Sequence, residues 1–265
     1  MTINIMVCVK QVVDPETPTS AFKVCRDSKR VIPAIGIPPV INGFDENAIE
    51  AALRIKDSSD AHVSVLSLGS NFVLDVMKKP LSMGADELIL IDDKLTEYFD
   101  PYATAYVLAE AIKMIGSFDL ILCGRQASDW DQAQVPMGIA EILGIPILTL
   151  AQRVEYTENG IIVEKPITTG VGIFEALLPC LVSVSNELGE PRYPTLRGIM
   201  SASRKTPSIY TLNDLSIETD ALLPKLELID LFLPEREQNI EFIEGEDDAE
   251  TGRKLALRLR EENLI

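Results

Sequence analysis

Residues 120–144 have the composition and spacing best suited to binding chemistry. An apolar, β-prone run stops at Gly124, and helical spacing returns from Val135, so a strand, a loop and a helix are predicted. Ligands of open parallel sheets bind where strands end, and an anion faces the N–H groups that begin the next helix. The loop offers neutral hydrogen-bonding side chains, namely Gln126, Ser128, Gln132 and Gln134. The loop is therefore suited to a nucleotide phosphate. Gly124 has no side chain and would let this phosphate approach the backbone. The pattern equally allows Gly124 merely to end the strand, with residues 129–131 as a solvated turn.

The chain offers few residues for nucleophilic or metal chemistry. Its only histidine, His62, opens a strand-like run, and no motif supports a Ser–His–Asp triad around it. The four cysteines are far apart and form no C-x-x-C pair, which argues against zinc and thioredoxin-type sites. We interpret them as small buried hydrophobes, and side-chain acid–base catalysis is not expected.

Composition bounds the class of protein. A chain of 265 residues with 46% hydrophobic residues predicts one main domain with an appendage. No apolar run is long enough to span a bilayer, and the N-terminus lacks a secretion signal, so we expect a cytoplasmic protein. A net charge of −17 without clustered Lys and Arg argues against nucleic-acid binding.

Alternating strands and helices predict an α/β fold with a doubly wound, mostly parallel sheet. The predicted strands are residues 3–9, 62–68, 87–91 and 120–123. The predicted helices follow residues 42–45, cover residues 71–83, and run from Asp100-Pro101 to Gly116. Residues 10–39 read as a long excursion with at most a short hairpin around residues 22–32.

The second half has a different pattern. Four short strands, residues 153–156, 161–165, 170–177 and 180–185, are predicted to be antiparallel and to extend the sheet at one edge. Residues 190–200 form a loop with two prolines and two arginines. We predict a nucleotide-binding domain over residues 1–205 and an extended C-terminal arm with a final helix over residues 206–265. The apolar arm is expected to pack on another chain, the alternative being that it folds back on its own domain.

Five sequence pieces together resemble the β subunit of electron transfer flavoprotein. They are residues 7–11 (VCVKQ), 42–53, 82–86 (SMGAD), 123–127 (CGRQA) with Asp129 and Asp131, and 190–200. They occur in the family's order over nearly the whole chain, which is specific although no single piece is. The family's acidic, Gly-rich turn is replaced by residues 166–172 (PITTGVG), so the turn near the flavin is altered. The resemblance implies an adenine-nucleotide alpha-hydrolase-like fold.

The resemblance also implies cofactors. The family pairs this subunit with a larger α subunit whose mobile domain carries FAD. The β subunit binds AMP in single-flavin members, and a second FAD reduced by NADH in the electron-bifurcating members of anaerobes. Residues 132–135 (QAQV) are similar to the bifurcating branch. The implied contacts are Cys8, Asn42, Gly43, Phe44, Asp45, Leu68, Gly124, Arg125, Gln126, Ala127, Ser128, Asp129, Asp131, Gln132, Ala133, Gln134 and Val135.

A flavin dehydrogenase is the further partner implied by the resemblance, either an acyl-CoA dehydrogenase or an FAD-linked 2-hydroxy-acid dehydrogenase. The implied docking residues are Arg192, Tyr193, Pro194, Thr195, Leu196 and Arg197, with Leu196 as the anchor. Packing of Leu196 against its neighbours as a small core is the structural alternative. An ATP-binding sensory module of similar fold is disfavoured, because it would use a more Gly-rich phosphate loop and would not need residues 190–200. An ATP-pyrophosphatase is disfavoured because residues 10–13 (KQVV) replace its Ser/Gly-rich loop.

Overall fold

The computed structural model describes residues 2–215, 217, 219–234 and 240–265. The strands are β1 (Ile3–Val9), β2 (Gln11–Val12), β3 (Lys23–Cys25), β4 (Arg30–Ile32), β5 (Val40–Ile41), β6 (Ala61–Gly69), β7 (Glu87–Asp92), β8 (Leu120–Gly124), β9 (Ile147–Ala151), β10 (Arg153–Thr157), β11 (Gly160–Ile167), β12 (Gly170–Ala176), β13 (Cys180–Val184) and β14 (Ser208–Tyr210). The α-helices are α1 (Gly43–Ser58), α2 (Leu74–Met77), α3 (Lys79–Met83), α4 (Pro101–Ile115), α5 (Val135–Leu143), α6 (Leu196–Arg204) and α7 (Asp248–Glu261).

Seven strands form one sheet in the order β14-β7-β6-β1-β8-β13-β9, and every neighbouring pair is parallel. Successive residues of β1 face opposite sides of it, so Ile5 and Val7 lie in one core and Met6 in the other. Helices α1 to α3 cover the first core, and α4 and α5 cover the second. This arrangement confirms the predicted α/β fold with a doubly wound sheet.

The antiparallel strands are placed differently from the prediction. β10, β11 and β12 form a separate three-stranded sheet, and β13 lies inside the main sheet, parallel to β8 and β9. All five residues of β13 are buried, as expected for a central parallel strand covered on both faces. Its apolar run therefore indicated the main sheet and not an antiparallel edge. The altered turn at residues 168–169 joins β11 to β12, with Ile167 opposite Gly170.

Two further local predictions have clear outcomes. β3 and β4 pair antiparallel, which confirms the short hairpin within the long excursion. The single helix predicted over residues 71–83 is instead two short helices, α2 and α3, that meet at Lys78. Pro80 accounts for the break, because it has no N–H to continue the hydrogen-bond ladder of α2.

The chain divides into two compact units, Met1–Leu231 and Phe232–Ile265. Within the first unit, β14 pairs with β7, and Leu212 and Leu215 are buried in the second core. In the second unit, α7 begins after Asp247, whose side chain accepts the Glu250 N–H at 2.7 Å. None of the described helices has the length and apolar character that crossing a membrane requires.

Candidate functional site

A cavity of about 370 Å³ opens at the carboxyl ends of β1, β6 and β8. This is the position at which parallel α/β sheets bind ligands, and the volume is within the range of small-molecule sites. Part of the wall is apolar, formed by Cys8, Leu68, Phe72, Phe99 and Leu108. Polar groups come from Lys10, Ser70, Thr104 and the glutamines of the β8–α5 loop. A wall of this kind fits a planar ring together with groups that accept hydrogen bonds.

The cavity brings together most of the residues expected to contact a cofactor. Its wall includes Cys8, Asp45, Leu68, Gly124, Gln126, Ala127, Asp129, Gln132, Ala133, Gln134 and Val135. Six others, all within the described residues, are not part of the wall: Asn42, Gly43, Phe44, Arg125, Ser128 and Asp131. Arg125 is directed at helix α1, with its guanidinium carbon 5.1 Å from the centre of the Phe44 ring.

Asp45 joins two strand ends beneath the cavity. Its carboxylate accepts the Lys10 N–H at 2.8 Å and the Gly124 N–H at 3.1 Å. Burial raises the pKa of Asp45 to about 7, although these hydrogen bonds oppose the rise. A Cβ on Gly124 would lie 2.3 Å from Asp45 Oδ1 and 2.7 Å from the carbonyl carbon of Phe44. Gly124 is therefore required for the approach of β8 to α1.

Asn42 holds the β8–α5 loop in place. This side chain is 1% exposed; its Nδ2 donates to the Gln126 carbonyl at 2.8 Å, and its Oδ1 accepts the Ser128 N–H at 3.2 Å. Farther along the loop, Asp131 and Ala133 have φ angles of 49° and 54°, in the left-handed region that such residues rarely adopt. Asn42 thus fixes the start of the loop, at residues 126–128, from the N-terminal end of α1.

The carboxylates at the cavity have partners of their own. Asp129 forms an ion pair with Lys10 at 2.7 Å, and Asp100 caps α4 by accepting the Ala103 N–H at 2.8 Å. Glu97 pairs with the arginine that begins β4. These contacts partly neutralise the acidic groups, and the N-terminus of α5 adds positive potential at the wall. An anionic ligand is therefore compatible with this acidic chain.

Trp130 is a wall residue that sequence reasoning missed. It is the only tryptophan of the chain, and 46% of its surface is exposed. Its position between two aspartates of the predicted phosphate loop could have indicated that it lines the site. Trp130 gives the site a large aromatic surface and an intrinsic fluorescent reporter.

Cys8 and Cys123 are register partners on β1 and β8 and are both free and buried. A hydrogen bond with Cys8, together with burial, raises the pKa of Cys123 well above its ordinary value. Burial likewise raises the pKa of Cys180 to about 11. Cys123 and Cys180 therefore stay protonated near neutral pH. All three buried cysteines pack as small hydrophobes, whereas Cys25 is partly exposed.

The residues expected to dock a partner form a second candidate site. Tyr193 and Leu196 are 86% and 82% exposed. Leu196 begins α6, which Thr195 caps by accepting the Gly198 N–H at 3.0 Å, so part of the predicted loop is helical. Its exposure argues against packing as a small core. Arg192 instead binds its own chain, with Nε 2.8 Å from a Glu50 oxygen.

Comparison with known proteins identifies the class to which this α/β fold and its strand-end cavity belong. The family described as "Electron transfer flavoprotein domain" matches residues 34–215. "Electron transfer flavoprotein subunit beta" of Megasphaera elsdenii is 41% identical over 210 residues, covering 77% of this chain and 76% of that protein. The subunit of the same name from Thermoanaerobacterium thermosaccharolyticum is 38% identical over 221 residues, covering 83% of each chain. "Caffeyl-CoA reductase-Etf complex subunit CarD" of Acetobacterium woodii is 33% identical over 267 residues, covering 99% of this chain and 100% of that protein. The chain belongs to the electron transfer flavoprotein family, as its sequence motifs predicted.

Proposed function

We propose that this chain is the β subunit of a heterodimeric electron transfer flavoprotein that exchanges electrons with a flavin dehydrogenase. The observation that carries the proposal is the cavity at the carboxyl ends of β1, β6 and β8, lined by residues of the motifs that resemble the β subunit. The cavity lies within the first unit. We assign it to an adenine nucleotide.

The donor set fits the adenosine-phosphate part of such a ligand. Phe99, Leu68 and Trp130 offer apolar surface for a ring, and the start of α5 offers backbone N–H groups for a phosphate. Pro136 lies in the first turn of α5 and has no N–H, so the phosphate donors are expected from residues 132–135. AMP and FAD share this adenosine-phosphate part, so the lining residues support either ligand.

We propose a second FAD here, reduced by NADH, in flavin-based electron bifurcation. The QAQV sequence at residues 132–135 and the full-length similarity to a protein named as part of a caffeyl-CoA reductase–Etf complex support this choice. Structural AMP is the alternative. A bound flavin supplies the electron-transfer chemistry, so the chain needs no nucleophile or acid–base pair of its own. Asn42 and Asp45 hold the strand ends and loop that form the site.

Nucleotide counting tests the assignment. The chain is co-expressed with its α subunit, and the purified complex is denatured so that released FAD and AMP can be quantified. Two FAD per heterodimer support bifurcation, whereas one FAD with one AMP supports the single-flavin alternative. A complex without flavin would overturn the proposed function. Quenching of Trp130 fluorescence on adding AMP or FAD to the isolated β subunit locates the ligand at the cavity.

Docking to the dehydrogenase is proposed to depend on Leu196. A side chain on a capped helix start loses little entropy on binding, and its burial contributes roughly 1.5–3 kcal/mol. Leu196→Ala should weaken coupling to an acyl-CoA or 2-hydroxy-acid dehydrogenase about ten- to a hundred-fold, with nucleotide content unchanged. The measurement is the electron-transfer rate against dehydrogenase concentration. A lower melting temperature with unchanged transfer would instead indicate a packing role.

A further inference from the structure

One face of α1 holds the segment before the docking residues. Asn47, Glu50, Arg54 and Asp57 follow one another at intervals of three or four residues, which places them on the same side of the helix. Asn47 Nδ2 donates to the Gly189 carbonyl at 2.7 Å. Arg54 Nη1 donates to the Leu188 carbonyl at 3.2 Å. The backbone at residues 188–189 is thus fixed to α1 by two side chains.

Glu50 is the centre of these contacts and is only 5% exposed. Its carboxylate accepts the Arg192 N–H at 3.1 Å, Arg192 Nε at 2.8 Å and Arg54 Nε at 2.9 Å. Arg192 Nη2 also donates to Asp57 at 2.7 Å. Burial alone would raise the pKa of Glu50, but hydrogen bonds from both arginines lower it below its ordinary value. The pairing therefore compensates the buried charge and fixes both the backbone and the side chain of Arg192.

The docking residues have little burial of their own. Tyr193 follows Arg192 directly, and Tyr193 and Leu196 are both more than four-fifths exposed. The start of α6 is also held by the Thr195 cap and by the close approach of Gly198 to the Ser82 carbonyl, whereas Arg192 holds the segment that leads into the helix. Arg192 was expected to contact the partner, yet all four of its donor nitrogens, the backbone N, Nε, Nη1 and Nη2, are engaged by Glu50 and Asp57.

We propose that Glu50 is a positioning residue for partner docking, acting through Arg192 to preorganise the turn that presents Leu196. The inference rests on the proposed docking function and adds Glu50 to it, a residue 142 positions before Arg192 in the sequence. An anchor held in place before contact loses less entropy when it binds. Release of Arg192 should therefore weaken docking while the docking side chains and the electron-transfer step remain intact.

The experiment uses the complete complex with the α subunit and three variants. Glu50→Gln keeps shape but removes the charge, and Arg192→Lys keeps the charge but loses the planar fork that binds a carboxylate. Glu46→Gln is the matched control, because Glu46 is also on α1 but pairs with Lys79 and not with residues 188–192. Steady-state transfer to an acyl-CoA dehydrogenase gives KM for the acceptor and kcat. Trypsin cleavage after the exposed Arg197 reports the mobility of the turn.

Glu50→Gln should raise the acceptor KM about tenfold with kcat unchanged, Arg192→Lys should raise that KM at least as much, and Glu46→Gln should change neither constant. Both should also speed cleavage after Arg197. In the Leu196→Ala background, Glu50→Gln should add little to KM, because the anchor that it positions is already gone. Additive effects, or an unchanged KM with faster cleavage, would overturn the inference. If the wild-type complex transfers no electrons to the dehydrogenase, the docking function fails, and unchanged cleavage in both variants would independently reject the anchoring by Glu50.

Discussion

Gly124 lies where β8 comes closest to the N-terminus of α1, and this approach predicts its response to substitution. A Cβ there would meet both the Asp45 carboxylate and the Phe44 backbone, whereas one on Gly43 would meet no atom within 4 Å. Gly124→Ala should therefore destabilise the fold by about 1–3 kcal/mol, as overpacking does. Gly43→Ala should have little effect. Urea unfolding of both variants checks this, and equal stabilities would refute the proposed steric role of Gly124.

Asp45 should give the fold an unusual pH dependence. Burial raises its pKa from 3.8 to about 7, so between these values the folded state holds a proton that the unfolded state has lost. The associated stabilisation is fully present below pH 3.8 and is lost as the pH rises to about 7. Lys10 and Cys123 are the charged and titratable neighbours in this environment.

Melting temperatures of the wild type and Asp45→Asn across this pH range isolate the effect from that of the other carboxylates. The wild type should lose stability relative to Asp45→Asn as the pH rises from 4 to 7, because only the wild-type side chain can deprotonate there. A difference that stays constant with pH would show that Asp45 titrates near its ordinary pKa.

Among the elements, helix α1 and the residue before it hold two separate segments through two buried asparagines. Asn42, just before α1, holds the β8–α5 loop, and Asn47 holds the Gly189 carbonyl. Asn42→Ala should weaken AMP binding about tenfold, because the loop loses two hydrogen bonds. Asn47→Ala is the matched control and should leave AMP affinity unchanged despite a similar loss of stability. Titration of Trp130 fluorescence measures both, and equal affinities in the two variants would contradict a specific role for Asn42.

The sequence predicted only part of the cavity wall and none of the contacts that α1 makes with residues 188–192. The apolar run before Gly124 and the polar loop after it predicted one wall of the cavity. Phe99 and Thr104 were missed because they come from the β7–α4 region, which only the sheet order brings to the same edge. The contact between Glu50 and Arg192 spans 142 residues of sequence, and no local periodicity encodes it. The local hydrophobic pattern thus predicted strands and helices. The contacts between residues distant in sequence depend on how those elements are arranged in space.

In the whole molecule, residues 206–265 are divided between the two compact units, and their composition did not predict this division. Asp100 accepts the Leu226 N–H at 2.9 Å, and Arg26 pairs with Asp230 at 2.9 Å, so this part of the arm belongs to the first unit. Part of the arm therefore contacts other residues of the first unit. Residues 232–265 form the second unit, and its role in binding the α subunit remains our proposal.

Removal of residues 232–265 tests that proposal. Phe242 is 82% exposed and Leu257 is 51% exposed, so the second unit offers apolar surface suited to a partner chain. The truncated chain should keep its cavity and bind AMP with wild-type affinity, but it should elute separately from the α subunit on gel filtration. Leu257→Ala should weaken the heterodimer in the same direction, whereas Arg253→Ala on the same helix should not. An intact heterodimer after truncation would place the α-subunit interface entirely on the first unit.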